Sequence, residues 1–248
     1  SQKKIVKIKK LEEIFKFLET ADKECIVAID EFQQIENYEE KNIEALLRTM
    51  MQSCSNTHFI FAGSKRHTMT MMFNSPSRPF YQSTLNMSLE PLPLDVYTSF
   101  CQSLFEKRNK HLDAEVISQI YKDYEGYTWF MHMLLNELFF LTDEGATCTL
   151  KDLQDALNNI VISQQQAYKE QMALIPIKQK MVLLAIAEEG KATGVTSSSF
   201  VKKHSLPSTS SVQSAIKGLL EKELITHENG SYCIYDFFFA AWLKNSHL

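Results

Sequence analysis

The hydrophobic pattern of the first ninety residues predicts alternating helices and strands. Apolar residues at the spacing of one helix face predict an amphipathic helix over residues 11–18. Residues 25–29 are all small or apolar, and because no polar residue alternates with them they predict a strand buried on both faces. The spacing of apolar residues predicts a helix at residues 43–51 and a second strand at residues 58–64. A third strand is predicted at residues 84–93, where two prolines end it.

The pattern changes after residue 94. Residues 95–163 are almost continuously helical in period, with breaks near residues 110, 126 and 145. From residue 176 onward the sequence predicts three helices followed by two strand-like runs, the second of which extends to residue 239. Asn229-Gly230 lies between the two runs and is a strong hairpin signal. Three helices and a hairpin predict a winged helix, whose third helix should turn four apolar residues toward the core: Val212, Ile216, Leu219 and Leu220.

These patterns predict an α/β fold of three parts. They are the C-terminal part of an ATPase-like core with a parallel sheet, an all-helical lid and a winged-helix domain. We place them at residues 1–94, 95–175 and 176–248.

Composition adds few constraints. The net charge of −4 gives no global attraction to nucleic acid or to an anionic membrane, although five of the first ten residues are lysine. No apolar run approaches the roughly 20 residues of a membrane span, so we expect no membrane contact and a cytoplasmic protein. The five cysteines are scattered without metal-ligand spacing, which is typical of reduced thiols that fill a core.

The most informative chemistry is a pair of acids. Asp30 and Glu31 follow the strand at residues 25–29 directly, and two adjacent carboxylates repel each other unless a cation compensates. The carboxyl ends of parallel strands are where α/β proteins bind ligands, so a Mg²⁺ brought by a nucleotide would explain the pair. A second interpretation remains open at this point: the acids begin a solvated loop or cap the next helix.

Several motifs together resemble a known family. The segment "IVAIDEFQ" resembles a Walker B motif, and "FIFAGSKRH" resembles the strand that follows it in the P-loop fold. Together with "SPSRPFYQ" and the C-terminal winged helix, the chain resembles a bacterial AAA-related signal-transduction (STAND-type) P-loop ATPase over essentially all its residues. The resemblance implies a core, a helical lid and a winged helix in this order.

The resemblance also implies roles for individual residues. Asp30 would bind Mg²⁺, Glu31 would polarise the attacking water, and Ser64 would sense the γ-phosphate of ATP. Three cations follow the same strand ends, and any of them could act as an arginine finger or contact phosphate: Lys65, Arg66 and Arg78. Arg78, between Pro76 and Pro79, is the first choice for the finger and Arg66 the second.

In the lid, Gly126 matches the glycine of the Gly-x-Pro helix start through which relatives contact nucleotide. Trp129 stands where the proline would be expected.

One essential motif is missing. A P-loop ATPase needs Gly-x-x-x-x-Gly-Lys-Ser/Thr to hold the phosphates, and none of the seven glycines begins or completes it. In the family, the strand leading into that loop lies between the sensor strand at residues 58–64 and the strand at 84–93, so the sheet would have a central gap. We expect either the last two thirds of a longer ATPase or a degenerate protein that never hydrolyses ATP.

Two classes of function follow. The first is an ATP-driven switch whose nucleotide, held between core and lid, changes how the winged helix is presented. The second is a non-catalytic module whose winged helix binds DNA or a partner protein. Residues 176–248 carry eight Lys and six acids, a weak basic excess for a DNA reader, so we favour a protein partner or self-association over DNA.

Overall fold

The computed structural model of the protein describes residues 2–38 and 42–245, without the side chains of residues 2–8, 66 and 67. The chain forms two compact units, residues 1–89 and residues 90–248. Among the described residues, no helix is both long and apolar enough to cross a lipid bilayer. The boundaries predicted at 94/95 and 175/176 stay a prediction.

Unit 1 contains two parallel strands among several helices. Its elements in chain order are α1 (Gln2–Glu19), β1 (Cys25–Ile29), a 3₁₀ helix (Phe32–Asn37), α2 (Ile43–Ser53), β2 (Thr57–Phe61) and α3 (Arg66–Asn74). The strands pair in parallel from Cys25 opposite Thr57 to Ile29 opposite Phe61. Helix α2 makes the crossover between them, as a parallel pair requires. The predicted strand, helix, strand order is confirmed here.

The prediction that β1 is buried on both faces is wrong for the described residues. Alternate residues of β1 and β2 pack against one hydrophobic cluster, to which α1, α2, α3 and the 3₁₀ helix all contribute. On the opposite face Ile26 and Ile60 are exposed. The sequence carries apolar residues for two faces, but the described helices of unit 1 cover only one of them.

Aromatic rings form the centre of the unit 1 core. Phe32, Phe61, Phe73 and Phe80 lie with ring centroids 4.4–5.8 Å apart, and Phe32 and Phe80 are almost completely buried. Such edge and tilted contacts add stability beyond the buried area. Phe32 directly follows the acid pair, so its burial anchors the backbone that carries Asp30 and Glu31.

The predicted third strand is not formed. Residues 84–93 have no strand in the structure, and Leu85, Met87 and Leu89 are exposed. A strand is stabilised by its neighbour's hydrogen bonds and side chains, and among the described residues this segment has no neighbouring strand. Residues 84–93 therefore have the apolar alternation of a strand but lack, among the described residues, a neighbouring strand to pair with.

Unit 2 is mostly helical and ends in a winged helix. Its first elements are α4 (Leu94–Glu106), β3 (His111–Leu112), α5 (Ala114–Asp123), α6 (Thr128–Leu141), β4 (Thr147–Cys148) and α7 (Asp152–Ala173). They are followed by α8 (Ile177–Glu189), β5 (Ala192–Thr193), α9 (Ser198–Lys203), α10 (Thr209–Glu221), β6 (Ile225–Glu228), β7 (Ser231–Ile234) and α11 (Phe237–Asn245). One continuous hydrophobic cluster runs through these elements.

The predicted hairpin is confirmed, but its second strand is shorter than predicted. Strands β6 and β7 are antiparallel about Asn229 and Gly230, both at positive φ, and β5 completes a three-stranded sheet in the order β5-β7-β6. The second strand-like run was predicted to extend to residue 239, but it ends at Ile234. The Asp236 Oδ1 atom accepts hydrogen bonds from two backbone N–H groups, at 2.8 and 3.0 Å, and so caps α11 instead.

The buried face of α10 differs from the prediction at one residue. Val212, Ile216 and Leu219 are buried as predicted, whereas Leu220 is partly exposed. The buried residues Val212, Ala215, Ile216 and Leu219 follow the i, i+3, i+4, i+7 spacing of one helix face. Leu220 lies about 100° further round the helix and so leaves that face.

Candidate functional site

The candidate site lies where β1 and β2 end. Asp30 and Glu31 directly follow β1, which ends at Ile29. Gly63 and Ser64 are the second and third residues after the end of β2 at Phe61. The backbone pairing continues past both strands, because the N–H of Ala62 donates to the carbonyl of Ile29 and that of Phe32 donates to the carbonyl of Ala62, each at 2.9 Å. This continued pairing brings the two loops side by side, at the edge where parallel sheets bind ligands.

Glu31 has an unusual backbone conformation. Its φ of 49° and ψ of 40° lie in the left-handed region, which a residue with a long side chain seldom adopts. The Asp30 Oδ1 atom accepts a hydrogen bond of 2.8 Å from the Glu31 N–H, which holds the turn in place. Strained residues of this kind concentrate at functional sites, since the surrounding structure must stabilise them.

The Glu31 carboxylate is held by two neighbours. Ser64 Oγ donates to Glu31 Oε2 over 3.1 Å, and Gln33 Nε2 donates to the same oxygen over 2.5 Å. Gln33 Nε2 also lies 3.4 Å from Ser64 Oγ. The structure therefore brings together the two residues that the sequence predicted as water-polarising acid and phosphate sensor, and it places an amide between them.

Gln33 was missed by the sequence reasoning. Its side chain is only 2% exposed, and its Oε1 atom is buried without a hydrogen-bond partner. A Cβ added at Gly63 would lie 2.3 Å from that oxygen, so a larger residue than glycine would displace the amide. The only signal in the sequence is the position of Gln33 two residues after Glu31, which by itself predicts an exposed loop.

The three predicted cations lie at different distances along the chain from the candidate site. Lys65 immediately precedes α3 and follows Ser64 in the chain, so it lies beside the candidate site along the backbone. Arg66 begins α3, and its side chain lies outside the described residues. Arg78 follows α3 in the segment between the two prolines.

Arg78 is bound to carboxylates elsewhere in unit 1. Its guanidinium contacts both oxygens of Glu44, at 3.2 and 2.5 Å, and Glu36 at 2.7 Å. Burial raises the pKa of the Glu44 carboxyl, and the nearby Arg78 charge opposes this rise. In this conformation Arg78 compensates buried acid charge, so acting as an arginine finger would require it to leave two carboxylates.

Gly126 belongs to unit 2, and its backbone conformation and close neighbours explain why a glycine occupies this position, without a bound ligand. Its φ is +77°, and a Cβ at this position would lie 2.6 Å from the side chain of Pro91. Both features favour glycine. The adjoining residue Trp129 lies in the first turn of α6.

The described residues fit a nucleotide only in part. Asp30 and Glu31 supply carboxylate oxygens, which are the ligands that Mg²⁺ prefers, at the correct edge of a parallel sheet. However, within residues 2–38 and 42–245 no group of three or more His, Cys, Asp or Glu side chains could hold a metal ion. The chain supplies no glycine-rich loop for the phosphates either. A complete Mg-nucleotide site therefore needs groups that these residues do not provide.

Comparisons with known proteins found one matching family model and a similar solved structure. Residues 166–245 match the family model described as a probable winged helix domain. The fold is similar to that of the Walker-type ATPase PABY2304 of Pyrococcus abyssi, with a TM-score of 0.59 and 18% sequence identity. That match covers 88% of this chain and 63% of the other chain. No match was found among curated proteins.

These comparisons support the coarse architecture. The C-terminal region is a winged helix, as the sequence predicted, and the chain as a whole has a fold similar to that of a P-loop ATPase. This chain spans less than two thirds of the similar ATPase.

Proposed function

We propose that this chain is part of an ATP-binding and ATP-hydrolysing molecular switch of the AAA-related signal-transduction class. One observation supports this most strongly: Glu31, in a left-handed conformation at the end of β1, shares a hydrogen bond with Ser64 at the end of β2. A simple loop acid would not need the contact with the neighbouring strand end. The similarity to a Walker-type ATPase supports the same assignment.

Each residue of the site has a defined role in this proposal. Asp30 would contribute an oxygen ligand to Mg²⁺, and the ion would neutralise phosphate charge when bound. Glu31 would orient and polarise the attacking water, and Ser64 would contact the γ-phosphate through its hydroxyl. Lys65 would add positive charge beside Ser64. These assignments rest on the matching motif positions and on the described geometry.

For the arginine finger the structure changes the order of preference. Arg78 is held by Glu36 and Glu44, so its release would cost the interactions with both carboxylates. Arg66 becomes the first candidate because it follows Ser64 by only two residues. Arg78 stays a candidate only for a state in which that ion pair is broken.

We further propose that a strand from outside these 248 residues, carrying the P-loop, completes the sheet between β2 and residues 84–93. Two features of unit 1 support a missing strand: the parallel sheet of only two described strands, and the unpaired apolar alternation at Leu85, Met87 and Leu89. The open face with Ile26 and Ile60 supports a covering segment that comes with it. Exposed apolar patches of this kind mark surfaces that are normally covered.

Titration calorimetry with Mg-ATP tests this proposal. We expect no measurable binding to the 248-residue chain, because its sequence contains no Gly-x-x-x-x-Gly-Lys-Ser/Thr motif to hold the phosphates. Micromolar affinity of this chain would contradict the proposed need for an external P-loop. A Gly-x-x-x-x-Gly-Lys-Ser/Thr motif encoded upstream in the same reading frame would distinguish a piece of an active ATPase from a degenerate protein.

The winged helix is the second candidate for function, and the family match over residues 166–245 favours it. Helix α10 begins with a serine-rich turn in which Ser208 Oγ accepts the Ser211 N–H over 3.2 Å. Serine hydroxyls can contact phosphates, but the basic excess from residue 176 is only eight Lys against six acids. We therefore propose a protein partner or self-association for this domain. A salt-dependent mobility shift with duplex DNA would overturn that preference.

A further inference from the structure

Helix α11 follows a winged helix that is already complete without it. The helices α8, α9 and α10 and the strands β5, β6 and β7 make up that fold, and α11 comes after them in the chain. It packs against α8 of the winged helix and also against α7, the last of the four lid helices α4 to α7. Helix α11 therefore contacts both of the parts that the sequence predicts for this region.

Two consecutive phenylalanines at the start of α11 contact aromatic rings of the lid helices. The Phe237 ring centroid lies 5.0 Å from that of Phe130 in α6 and 5.4 Å from that of Tyr124, which follows α5. The Phe238 centroid lies 5.4 and 5.7 Å from the same two rings. Phe238 is 1% exposed, so this contact excludes water, and such aromatic pairs add stability beyond the buried area.

Polar contacts join the same two parts. Asp236 caps α11 with its Oδ1 atom, and its Oδ2 atom accepts a hydrogen bond of 3.4 Å from the Tyr168 hydroxyl of α7. The Phe239 ring lies 5.1 Å from the ring of Tyr168. Lys191, in the turn after α8, forms an ion pair of 2.5 Å with Glu125, in the turn before α6. That pair is exposed and contributes little alone, so the buried aromatic contacts dominate the junction.

The hydrophobic core does not divide between the two parts. A single cluster of buried residues includes Leu134 and Leu138 of α6, Val212 and Ile216 of α10, and Phe238 of α11. Domains that move independently have separate cores, and few contacts cross the boundary between them. The lid helices and the winged helix lack that separation.

We propose that α11 joins the lid helices and the winged helix into one rigid body. A movement of the lid is then carried whole to the winged helix, and no hinge acts near residue 176. For the ATP switch, and resting on that proposed function, the winged helix is presented by a movement of the whole of unit 2 and not by a swing on its own linker.

Distances between spin labels measure this rigidity in the whole 248-residue chain without nucleotide. One label at Ser118 of α5 and one at Ser214 of α10, both exposed, span the lid and the winged helix. The control pair, Ser118 with the exposed Gln154 of α7, lies within the lid. The two partly exposed native thiols, Cys25 and Cys233, are first replaced by serine. We expect a single distance for the first pair, with a distribution no wider than that of the control pair.

Hydrogen exchange tests whether the two parts also open together. Ile216→Val removes one methyl group from the winged helix, and exchange of the most protected amides should become about two- to twelve-fold faster in α6 and in α10 alike. Phe238→Leu keeps an apolar side chain but removes the ring contacts with the lid, so it should also speed exchange in both parts. Ile162→Val is the matched control, because Ile162 is 66% exposed, and it should change neither part.

Three results would overturn the proposal. Two distances, or a distribution wider than the control, would mean that the winged helix swings on the lid. An effect of Ile216→Val that is confined to the winged helix would mean that the two parts open separately, and an effect of Phe238→Leu on one part alone would mean that α11 does not join them. Since neither experiment contains nucleotide, these results leave the proposed ATPase function standing, and a failure of ATP binding would leave the rigid body standing.

Discussion

The two units of this protein differ in how their hydrophobic cores are arranged around the secondary-structure elements. In unit 2 one continuous hydrophobic cluster joins the helices to the winged helix, and Met131, Leu138 and Leu183 are fully buried within it. In unit 1 the aromatic core fills only one face of β1 and β2, and Ile26 and Ile60 are exposed on the other. Both units leave some apolar side chains exposed, as Phe140, Leu174 and Ile177 are in unit 2, but in unit 1 the exposed Ile26 and Ile60 lie on one face of the described parallel sheet, which suits a further segment.

The candidate functional site lies in unit 1, the unit with the exposed sheet face. Glu31 in its left-handed conformation, the buried Gln33 and the hydrogen bond to Ser64 all lie in unit 1, at the end of its two-stranded parallel sheet. A site that needs an additional segment can be switched by the arrival of that segment or of its ligand. The following predictions test whether the contrast between the units is real and whether the site functions as proposed.

The largest effect is expected for Glu31→Gln in a protein that contains the proposed P-loop. The amide keeps the size of the side chain but removes the carboxylate that would polarise water. We expect ATP hydrolysis to fall by roughly 10²- to 10⁴-fold while ATP stays bound, measured by phosphate release and by nucleotide retention. Asp30→Asn is the matched comparison and should weaken Mg²⁺-dependent binding as well. An unchanged hydrolysis rate for Glu31→Gln would reduce Glu31 to an acid that shapes the turn.

A second pair of variants tests the packing contrast itself. Leu183→Ala in unit 2 should lower the free energy of unfolding by about 2–5 kcal/mol, because it leaves a cavity in a closed core. Ile26→Ala in unit 1 should change it by less than about 0.5 kcal/mol, since this side chain is exposed in the described structure. Denaturant titrations followed by circular dichroism measure both. A large loss for Ile26→Ala would show that the open face is covered in solution.

The third prediction concerns Gln33, a positioning residue for Glu31. In Gln33→Leu the buried Oε1 atom without a partner disappears together with the bond to Glu31, so the two effects on stability oppose each other. We expect the free energy of unfolding to stay within about 1 kcal/mol, while hydrolysis by the P-loop-containing protein falls about tenfold.

Gln33→Glu separates this role from simple packing. It keeps the length of the side chain but places a second carboxylate against Glu31, so we expect a similar loss of hydrolysis and a lower melting temperature. If Gln33→Leu hydrolyses ATP normally, Gln33 does not position Glu31.

The sequence predicted those features that depend on local chemistry. The strand that ends in two acids, the Asn229-Gly230 hairpin and the buried face around Val212 and Ile216 all follow from short-range patterns. It could also place Glu31 and Ser64 at one sheet edge, because parallel strands end on the same side.

Features that depend on distant partners were not predictable. The alternation at residues 84–93 predicts a strand, but strand formation is decided by a neighbour that the described chain does not supply. The ion pair of Arg78 with Glu44 joins positions 34 residues apart, and no local pattern indicates it. The end of β7 at Ile234 was missed because the cap by Asp236 outweighs the apolar run that follows it.

A smaller effect is expected for Arg78→Ala. The substitution leaves Glu44 without its main counterion while burial still raises the pKa of that carboxyl, so stability should fall by about 1 kcal/mol. Thermal unfolding measures the change, and Arg108→Ala, which removes an exposed arginine of unit 2, is the control. An unchanged melting temperature together with a loss of hydrolysis would restore Arg78 as the arginine finger.

The smallest effect concerns a cluster in the winged helix at the end of α8. Glu189 Oε1 accepts hydrogen bonds from Lys203 Nζ at 2.6 Å and from the nearly buried His204 at 2.8 Å, and the Glu188 carboxylate lies 3.3 Å from the other ring nitrogen. The bond from Lys203, followed by that from His204, lowers the pKa of the Glu189 carboxyl. A carboxyl whose pKa is lower in the folded state stabilises the fold above its unfolded pKa, and this contribution is lost as the pH falls through the folded value.

We therefore expect the Glu189 contribution to be present above the ordinary pKa of a glutamate, about 4.3, and to be lost as the pH falls below it. Glu189→Gln should lower stability slightly at pH 7 and should flatten the decline of stability in acid, as measured by thermal unfolding on both sides of that value. Glu221→Gln removes an exposed acid that lies 4.0 Å from Lys217 and is the matched control, because such a solvated pair contributes little. If both variants decline in parallel with the unmodified chain, the contacts of Glu189 do not couple the stability of the winged helix to pH.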